Sequence, residues 1–502
     1  MPDEPRVPVL DPAVAAALER VRAAFAAADY TVGGVRGLLG AVAGGALARD
    51  EIVPALRATG GGSPLEVFTR LFWLQVPVPV DAVPACDLAA AGLAVADGGE
   101  LRPLLHVEPL ESVTGSGHAG WVVSDLKVRP GSGRPVSADH VVGAGGASAS
   151  LARLVVHSPV DNVLDLGTGC GVQALHVADP AVGRRPGRIT ATDVHPRALR
   201  LAALSFALSG LAGVELAEGS LFEPVEDRRF DLIVSNPPFV VAPPGGQRRT
   251  YRESGLPGDE FCRRLVVSAR DRLTDGGYCH LLANWLDVAG EGWRERVGGW
   301  AAESGCDAWI VQRDVQDPAE YAELWLRDSV EAGAPGYAER YEAWLADFER
   351  RKVAGIGFGW ITLRRRDGGV PVVRVEELRH AVDEPVGAYV DGVLSGLVAA
   401  PEFSTGWGKL RLADGVVQEQ VGPPGAADPE RILLRQTRGL RRVAGVGTVE
   451  AALAGVCDGT LPPEPLLDAI AQLLALDPSQ VRAHAAAVLP ELIADGFFTV
   501  VP

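Results

Sequence analysis

Short apolar segments alternate with helical segments between residues 106 and 366, and this alternation limits the fold more than any other feature of the sequence. Seven of the apolar segments have strand length and lie near 162–166, 188–192, 214–217, 230–235, 277–284, 307–313 and 356–364. Strands that are separated by helices usually pair in parallel, because the helix returns the chain to the same end of the sheet. The sequence therefore predicts an α/β fold with a seven-stranded, mostly parallel sheet and helices on both faces.

Residues 1–105 are predicted to form a mainly helical domain of their own. Apolar residues recur at helical spacing through Val14, Leu18 and Val21, and a Gly-Gly turn within 93–101 predicts a short hairpin. Helices followed by a hairpin are typical of a winged helix, a module that binds proteins as well as nucleic acids. Two interpretations stay open: a substrate-recognition domain that caps the entrance to a site, and a module that binds nucleic acid.

Two further divisions of the chain are predicted from changes in the pattern. The α/β domain spans 106–366 and contains a helical insertion, 318–352, that is rich in Trp, Tyr and Glu. Its Trp325 and Trp344 belong either to a core or to an aromatic lid over a substrate. Residues 367–502 begin with a strand-like segment and end in two helices and a short strand. They are predicted to form a C-terminal α+β domain that is also winged-helix-like.

The composition excludes several classes of protein. A formal net charge of −17 argues against broad, nonspecific binding of nucleic-acid phosphates, although it leaves a local basic patch open. The six cysteines are scattered without a C-x-x-C pair, so we expect reduced thiols and no metal site. The N-terminus lacks a signal-peptide pattern and the chain lacks an apolar run of roughly 18 residues. A soluble, cytoplasmic protein without a membrane segment is therefore expected.

The first strand of the sheet ends in a glycine-rich turn at 163–171, Val-Leu-Asp-Leu-Gly-Thr-Gly-Cys-Gly, that opens a helix. Gly167 and Gly169 allow a ligand to approach the backbone closely, because they carry no Cβ. The next strand ends in Asp193, whose carboxylate suits the two hydroxyls of a ribose, with capping of the following helix as the alternative. Since the third strand ends in a similar turn at 220–221, the sequence predicts a nucleotide-cofactor site at this edge.

The fourth strand ends in Asn236-Pro237-Pro238-Phe239, a loop suited to holding one planar nitrogen in place. The Asn236 side chain offers a donor and an acceptor, and Pro237 offers a carbonyl but no N–H. The two prolines stiffen the loop, and Phe239 presents an aromatic face to a planar group. Such a loop could bind an amide or a base edge and direct its nitrogen at an electrophile.

These motifs, in this order over residues 140–285, resemble the Rossmann-like S-adenosylmethionine-dependent methyltransferases. Within that class, Asn-Pro-Pro-Phe resembles the release-factor glutamine, ribosomal-RNA guanine N2- and adenine N6-methyltransferases. The resemblance implies S-adenosyl-L-methionine as cofactor and S-adenosylhomocysteine as product. The implied cofactor contacts are Asp165, Leu166, Gly167, Thr168, Gly169, Gly171, Asp193, Val194, Ser220, Leu221 and Asn236.

Ser220 departs from the pattern of these families, and the segment 141–150 extends the resemblance. The family usually carries Asp where Ser220 stands, and a serine accepts a weaker hydrogen bond from the adenine amine. Residues 141–150 resemble the segment that covers the methionine end of the cofactor, with a flexible loop leading into a helix as the alternative. The implied catalytic residues are Asn236, Pro237, Pro238 and Phe239. No general base is obvious among the nearby histidines.

The acceptor is predicted to be a glutamine side-chain amide of a protein, as in a release-factor-like substrate. The segment 255–259 resembles the Gly-Gly-x-Asp-Gly segment that follows the motif in release-factor glutamine methyltransferases. Arg248, Arg249, Tyr251 and Arg252 are candidate substrate-binding residues, and these arginines could instead grip RNA phosphates. Two alternatives stay open: a methyltransferase acting on guanine N2 or adenine N6 of RNA or DNA, and a catalytically silent, cofactor-binding regulatory protein. The oligomeric state is not predicted.

Overall fold

The computed structural model describes residues 10–115, 117–128, 137, 139–156, 158–183, 186–244, 252–329, 336–403, 408–425 and 428–501. Its centre is an eight-stranded sheet. A mainly helical region precedes this sheet in sequence, and an α+β region follows it.

The N-terminal region combines helices with a small sheet. Its helices are α1 (Pro12–Ala27), α2 (Val32–Leu47), α3 (Val53–Ala58), α4 (Pro64–Phe68), which continues as a π-helical turn (Thr69–Trp73), and α5 (Ala85–Ala90). Its strands are β1 (Val78–Pro79), β2 (Ala94–Asp97) and β3 (Glu100–Pro103), in the order β1-β3-β2. Strands β2 and β3 form the hairpin that the Gly-Gly turn predicts, so that prediction is confirmed. The likeness to a winged helix stays a prediction.

A two-stranded hairpin then leads into the central sheet. The hairpin consists of β4 (His106–Glu111) and β5 (His118–Ser124). The sheet consists of β6 (Asn162–Leu166), β7 (Arg188–Asp193), β8 (Val214–Glu218), β9 (Phe230–Ser235), β10 (Leu273–Val288), β11 (Asp307–Gln316), β12 (Val353–Arg364) and β13 (Val373–Glu377).

The strand order of the sheet is β13-β11-β12-β10-β9-β6-β7-β8. Strand β12 runs antiparallel to both of its neighbours, and all the other neighbouring pairs are parallel. The predicted α/β class with a mainly parallel, Rossmann-like sheet is therefore confirmed.

The predicted number of seven strands is wrong by one. All seven predicted strands are present, but the segment 373–377 adds an eighth strand that pairs in parallel with β11. The sequence pattern assigns this segment to the C-terminal domain, which was predicted to begin at 367. The strand joins the sheet because β11 has a free edge, and because Val373 and Val375 pack against the apolar core of the sheet. The division of the chain into domains stays a prediction.

Helices cover both faces of the sheet, as predicted. They are α6 (Gly146–Leu154), α7 (Val172–Val177), α8 (Pro196–Ser209), α9 (Glu260–Ser268) and α10 (Trp293–Ser304). The insertion between β11 and β12 contains α11 (Pro318–Ser329) and α12 (Tyr337–Arg350). Short 3₁₀ turns lie at 80–82, 180–182, 223–225 and 269–272.

The C-terminal region begins with α13 (Gly387–Phe403) and ends with a helical bundle and one strand. Its other elements are β14 (Lys409–Leu412), β15 (Val416–Val421), β16 (Arg431–Gln436), β17 (Val443–Val446), α14 (Thr448–Val456), α15 (Pro463–Leu473), α16 (Pro478–Ala494) and β18 (Phe498–Val501). Ion pairs fasten this region to β13: Arg442 Nη2 lies 2.6 Å from Glu376 Oε1, and Arg374 Nη2 lies 2.6 Å from Asp495 Oδ1.

Two further observations concern the helices and the cysteines. Across the part of the chain that the structure describes, no helix combines the length and the apolarity needed to cross a membrane. All six cysteines lie in this part, and all are free thiols, as predicted.

The β4–β5 hairpin is joined to the helical layer of the sheet through two serines of α8. The backbone N–H of Trp121 donates to Ser209 Oγ at 2.8 Å, and that of Val123 donates to Ser205 Oγ at 2.9 Å. On the other side of the hairpin, the Trp121 indole N–H donates to the Tyr30 carbonyl of the N-terminal region at 2.8 Å. The hairpin thus links the N-terminal region to α8.

We expect Ser205→Ala to destabilise the protein by about 1–3 kcal/mol, because it leaves the buried N–H of Val123 without an acceptor. Ser268→Ala is the matched control: the Ser268 hydroxyl donates to the Arg264 carbonyl of its own helix, as that of Ser205 does to Leu201. The control should change the free energy of unfolding by less than about 0.5 kcal/mol. Urea unfolding of both variants measures the difference, and equal effects would contradict the role given to Ser205.

Candidate active site

A cavity of about 700 Å³ opens at the edge of the sheet where β6, β7, β8 and β9 end. Parallel pairing of β6 with β7 and β9, and of β7 with β8, brings these four ends together. The volume lies within the range of about 300–1,000 Å³ that is typical of small-molecule sites. The predicted site residues that line it are Leu166, Gly167, Thr168, Gly169, Asp193, Val194, Ser220, Leu221, Asn236, Pro237, Pro238, Phe239 and Arg252.

The glycine-rich turn after β6 presents bare backbone to the cavity. Gly167 has a φ of +71° and Gly169 a φ of +57°, in the left-handed region that favours glycine. A Cβ at either position would meet no other atom within 4 Å. Because both residues line the cavity, the missing side chains leave room for a ligand directly against the backbone.

Asp165 and Gly171 lie behind this wall and are not among the lining residues. Asp165 is fully buried, and its Oδ2 accepts hydrogen bonds from Thr168 Oγ1 at 2.6 Å and from the Ala174 N–H at 3.0 Å. Gly171 lies so close to Phe206 that a Cβ there would be 2.5 Å from the ring. Both residues therefore support the turn from the side of the core.

Asp193 lines the cavity and also connects two of its walls. Its Oδ2 accepts from the Gly169 N–H at 2.9 Å, and its Oδ1 accepts from the His195 N–H at 2.9 Å, at the start of α8. Burial raises the pKa of Asp193, and these two hydrogen bonds oppose that rise. Each carboxylate oxygen has further acceptor capacity, so the helix contact does not exclude contact with a ligand.

Ser220 and Leu221 form the turn after β8 and line the cavity beside Gly219. The Ser220 N–H donates to Glu223 Oε2 at 3.2 Å, and Leu221 has a left-handed φ of +47°. The turn thus has a defined shape, and contact of the Ser220 hydroxyl with a base stays a prediction.

A buried glutamate of β4 holds the segment 139–148, which forms another wall of the cavity. Glu108 is 6% exposed, and its Oε1 accepts from the Ala144 N–H at 2.7 Å. Burial opposes its ionisation, but hydrogen bonds and charge from His106 and Lys127 lower the pKa of Glu108 to about 2. Glu108 is therefore an anion that fixes the backbone of this wall.

Asp125, which follows β5, supports the same segment from a second point. Its Oδ2 accepts from the Val141 N–H at 2.9 Å and from Arg197 Nε at 3.2 Å. The sequence analysis did not predict Asp125 or Glu108 as site residues, because both precede the glycine-rich turn at 163–171 and the loop 236–239. The available signal was an acid within the apolar strand His106–Glu111.

The loop Asn236-Pro237-Pro238-Phe239 faces the same cavity as the glycine-rich turn. Asn236 Nδ2 donates to Ser148 Oγ at 3.4 Å, across the cavity wall formed by α6. The Ser148 carbonyl in turn accepts from Gln173 Nε2 at 2.9 Å. With its nitrogen directed at Ser148, Asn236 has its oxygen left to accept a hydrogen bond from a ligand.

The chain returns beside this loop at Arg252 and Glu253, which both line the cavity. The Val240 N–H donates to the Arg252 carbonyl at 2.8 Å, and Phe239 pairs with Glu253 in a short antiparallel bridge. Arg252 Nε donates to Glu253 Oε1 at 3.1 Å, and both side chains are less than 10% exposed. The predicted Arg248, Arg249 and Tyr251 lie outside the described residues.

Trp325 and Trp344 of the insertion have different positions. Trp344 is buried in a core with Tyr321 and Phe348, which confirms the first interpretation for this residue. Trp325 is half-buried and lines the cavity, 6.4 Å from Phe239 between ring centroids. Trp325 thus packs against this core and also faces the cavity, and its role as an aromatic lid over a substrate stays a prediction.

His, Cys, Asp and Glu side chains are the usual ligands of metal ions in proteins. Among the residues that the structure describes, no group of three or more His, Cys, Asp or Glu could hold a metal ion. The histidines that line the cavity are His140 and His195.

Comparison with known proteins places these features in a family. Residues 144–286 match the methyltransferase small domain, and residues 27–104 match a domain of unknown function, DUF7059. The release factor glutamine methyltransferase of Geobacter sulfurreducens is 35% identical over 161 residues, which are 30% of this chain and 53% of that protein. The corresponding enzyme of Moorella thermoacetica is 31% identical over 243 residues, which are 47% of this chain and 74% of that protein. The chain belongs to the release factor glutamine methyltransferase family.

The similarity covers only part of some relatives, and it extends to a second type of methyltransferase. The chain spans about half the length of the Geobacter relative, and a ribosomal RNA small subunit methyltransferase C of Actinobacillus succinogenes is also similar. That protein is 34% identical over 140 residues, which are 28% of this chain and 37% of its own length. The predicted resemblance to methyltransferases with an Asn-Pro-Pro-Phe motif is confirmed.

In this family member, Asp165 should make stability depend on pH. Burial raises the pKa of Asp165 to about 7, whereas an unfolded chain releases this proton near pH 4. The folded state thus binds the extra proton between these values, and the stability that this proton contributes is lost as the pH rises toward 7.

Between pH 5 and pH 8 the free energy of unfolding of the wild type should fall by about 2–3 kcal/mol, because Asp165 loses its proton. The neutral variant Asp165→Asn should lack this decrease. Asn can keep the hydrogen bonds from Thr168 and Ala174 through its oxygen. Urea unfolding of both proteins at the two pH values measures this difference. The same pH dependence in both proteins would contradict the raised pKa of Asp165.

Proposed function

We propose that the protein is an S-adenosylmethionine-dependent N-methyltransferase whose acceptor is a glutamine side-chain amide of a protein. One observation carries the proposal: the glycine-rich turn, Asp193 and the loop 236–239 line a single cavity. A group held against the turn would therefore lie next to a nitrogen held by Asn236. Membership of the release factor glutamine methyltransferase family supports this reaction.

The residues at the turn fit the cofactor. The bare backbone at Gly167 and Gly169 can receive a ligand closely, and the Asp193 carboxylate can accept the two ribose hydroxyls. Ser220 and Leu221 would contact the adenine ring, and the segment 139–148 would cover the methionine end. S-adenosylmethionine, when bound, supplies an electrophilic methyl group.

The loop residues would orient the acceptor. The Asn236 oxygen and the Pro237 carbonyl would accept hydrogen bonds from the two N–H groups of the acceptor amide, and Phe239 would pack against the amide plane. The lone pair of the nitrogen would then point toward the glycine-rich turn. Alignment and exclusion of water account for most of the required catalysis, since the methyl donor is already reactive.

The surroundings of the acceptor end favour a protein over a nucleic acid. Arg252 is buried and paired with Glu253, so its charge is directed at a carboxylate rather than outward to a phosphate. The rings of Phe239 and Trp325 are inclined at 67°, which does not suit a base stacked between them. The net charge of −17 also favours a protein acceptor, because it disfavours the binding of nucleic-acid phosphates. The N- and C-terminal regions would hold the macromolecule that carries the amide.

A second candidate is methylation of an RNA base. It is favoured by the similarity to the ribosomal RNA small subunit methyltransferase C, which extends over 28% of the chain. Both candidates use the same cofactor and the same loop, so that only the identity of the methylated molecule separates them.

Asn236→Ala should leave cofactor affinity nearly unchanged and lower kcat by about 10²-fold or more, because Asn236 orients the acceptor and not the donor. Asp193→Ala is the reciprocal control and should weaken cofactor binding by about 1–3 kcal/mol. Calorimetry with S-adenosylhomocysteine and a labelled-methyl transfer assay measure the two effects. Near-normal turnover by the Asn236 variant would contradict the role of this loop.

Labelled methyl groups should enter the protein fraction of a lysate from a strain that lacks the gene, and mass spectrometry should locate them on a glutamine amide. The Asn236→Ala protein, added to the same lysate, controls for other methyltransferases. A labelled nucleoside with no labelled protein would promote the RNA candidate. Cofactor binding without transfer to either fraction would instead indicate a regulatory protein.

A further inference from the structure

The helical insertion lies outside the segment that matches the methyltransferase small domain, yet it contributes to the cavity. Tyr321 of α11 is fully buried, and its hydroxyl accepts hydrogen bonds from the Val241 N–H at 3.0 Å and from Asn284 Nδ2 at 2.9 Å. The Trp344 ring of α12 packs against Tyr321, with 6.1 Å between ring centroids. Helix α11 is therefore fixed to the chain just after the loop 236–239.

One helical turn after Tyr321, the side chain of Trp325 reaches the cavity. Arg252 Nη1 donates to the Trp325 carbonyl at 2.9 Å, and the guanidinium carbon lies 5.5 Å from the centre of the indole ring. The Phe239 ring approaches from another side, and the Tyr321 ring lies 6.1 Å away. Because these three neighbours hold the indole, it forms a fixed wall at the acceptor end of the cavity and not a mobile flap.

This wall is apolar, and the two charged residues that the structure describes beside it are paired with each other. Arg252 and Glu253 form an ion pair beside the indole, so the surface between Trp325 and Phe239 suits methylene groups better than charged or strongly hydrated ones. The Phe239 and Trp325 rings are inclined at 67° with 6.4 Å between their centroids, so they lie nearly edge to face and together present one apolar surface to the cavity that Asn236 also lines.

We propose that Trp325 is an acceptor-specificity residue: with Phe239 it forms a subsite for the methylene stem of an unbranched side chain that ends in an amide at Asn236. The inference rests on the proposed function, which it extends by assigning the stem of the acceptor to residues of the insertion. An apolar subsite discriminates by about 10-fold or more for each methylene group, so a glutamine stem should be favoured over the shorter asparagine stem.

The test uses the full-length protein with S-adenosylhomocysteine bound and N-acetylglutaminamide as the probe. Saturation-transfer NMR reports contact between the protein and the side-chain methylene protons of the probe. The variants are Trp325→Ala and Trp325→Phe, with Trp344→Phe as the matched control, since Trp344 lies in the same insertion but does not line the cavity. Calorimetric affinity for S-adenosylhomocysteine, expected to stay within about twofold in all variants, shows that the cofactor site is intact.

We expect Trp325→Ala to lower the methylene signal at least about fivefold and to remove the preference for N-acetylglutaminamide over N-acetylasparaginamide. Trp325→Phe should fall between this variant and the wild type, and Trp344→Phe should match the wild type. A methylene signal in Trp325→Ala within twofold of the wild type, or an equal loss in Trp344→Phe, would overturn the subsite. So would a wild-type protein that shows no signal.

The outcomes separate the subsite from the proposed function. If the probe binds through Trp325 but the labelled lysate contains a methylated nucleoside and no methylated protein, the proposed acceptor is wrong and the subsite stands. If the lysate contains a methylated glutamine but the probe signal does not depend on Trp325, the proposed function stands and the subsite is wrong.

Discussion

Parallel pairing of β6 with β7 and β9 is the interaction on which the rest of the site depends. It brings the glycine-rich turn, Asp193 and Asn236 to one edge of the sheet, although these residues are far apart in sequence. Ligands of open parallel sheets bind at the carboxyl ends of the strands. There the chain leaves the hydrogen-bonded sheet, so its backbone and side-chain groups can contact a ligand. A shift in this pairing would separate the residues proposed to hold the cofactor from those proposed to hold the acceptor.

Carboxylates that accept backbone N–H groups give the cavity its shape. Asp193 joins the glycine-rich turn to α8, and Asp165 supports the same turn from the core. Glu108 and Asp125 fix the segment 139–148 from the β4–β5 hairpin, which precedes the region matched to the methyltransferase small domain. The hydrogen bond to the ionised Glu108 is charge-assisted and therefore stronger than a neutral one, and together these contacts hold the loops in place before a ligand binds. The hairpin therefore belongs to the site in function as well as in space.

The acceptor end is built in a different way, from aromatic rings. Phe239 lies within the segment matched to the methyltransferase small domain, whereas Trp325 lies in an insertion outside that segment. Arg252 and Glu253 connect the two, through a hydrogen bond to the Trp325 carbonyl and a backbone bridge to Phe239. The acceptor end thus combines a ring from the segment matched to the methyltransferase small domain with a ring from outside it.

The sequence by itself determined the α/β class, the seven predicted strands and the loops at their ends, because strand periodicity and the glycine, proline and acidic residues that follow are local properties of the chain. Tertiary structure alone decided which groups complete the site. The eighth strand joins the sheet through a free edge of β11, which no local pattern reveals. Glu108 forms a hydrogen bond with Ala144, 36 residues later, and Arg252 forms one with Trp325, 73 residues later. The order of residue types along the chain does not specify such contacts. They depend on how the hairpin and the insertion pack against the sheet, and packing is a property of the whole fold.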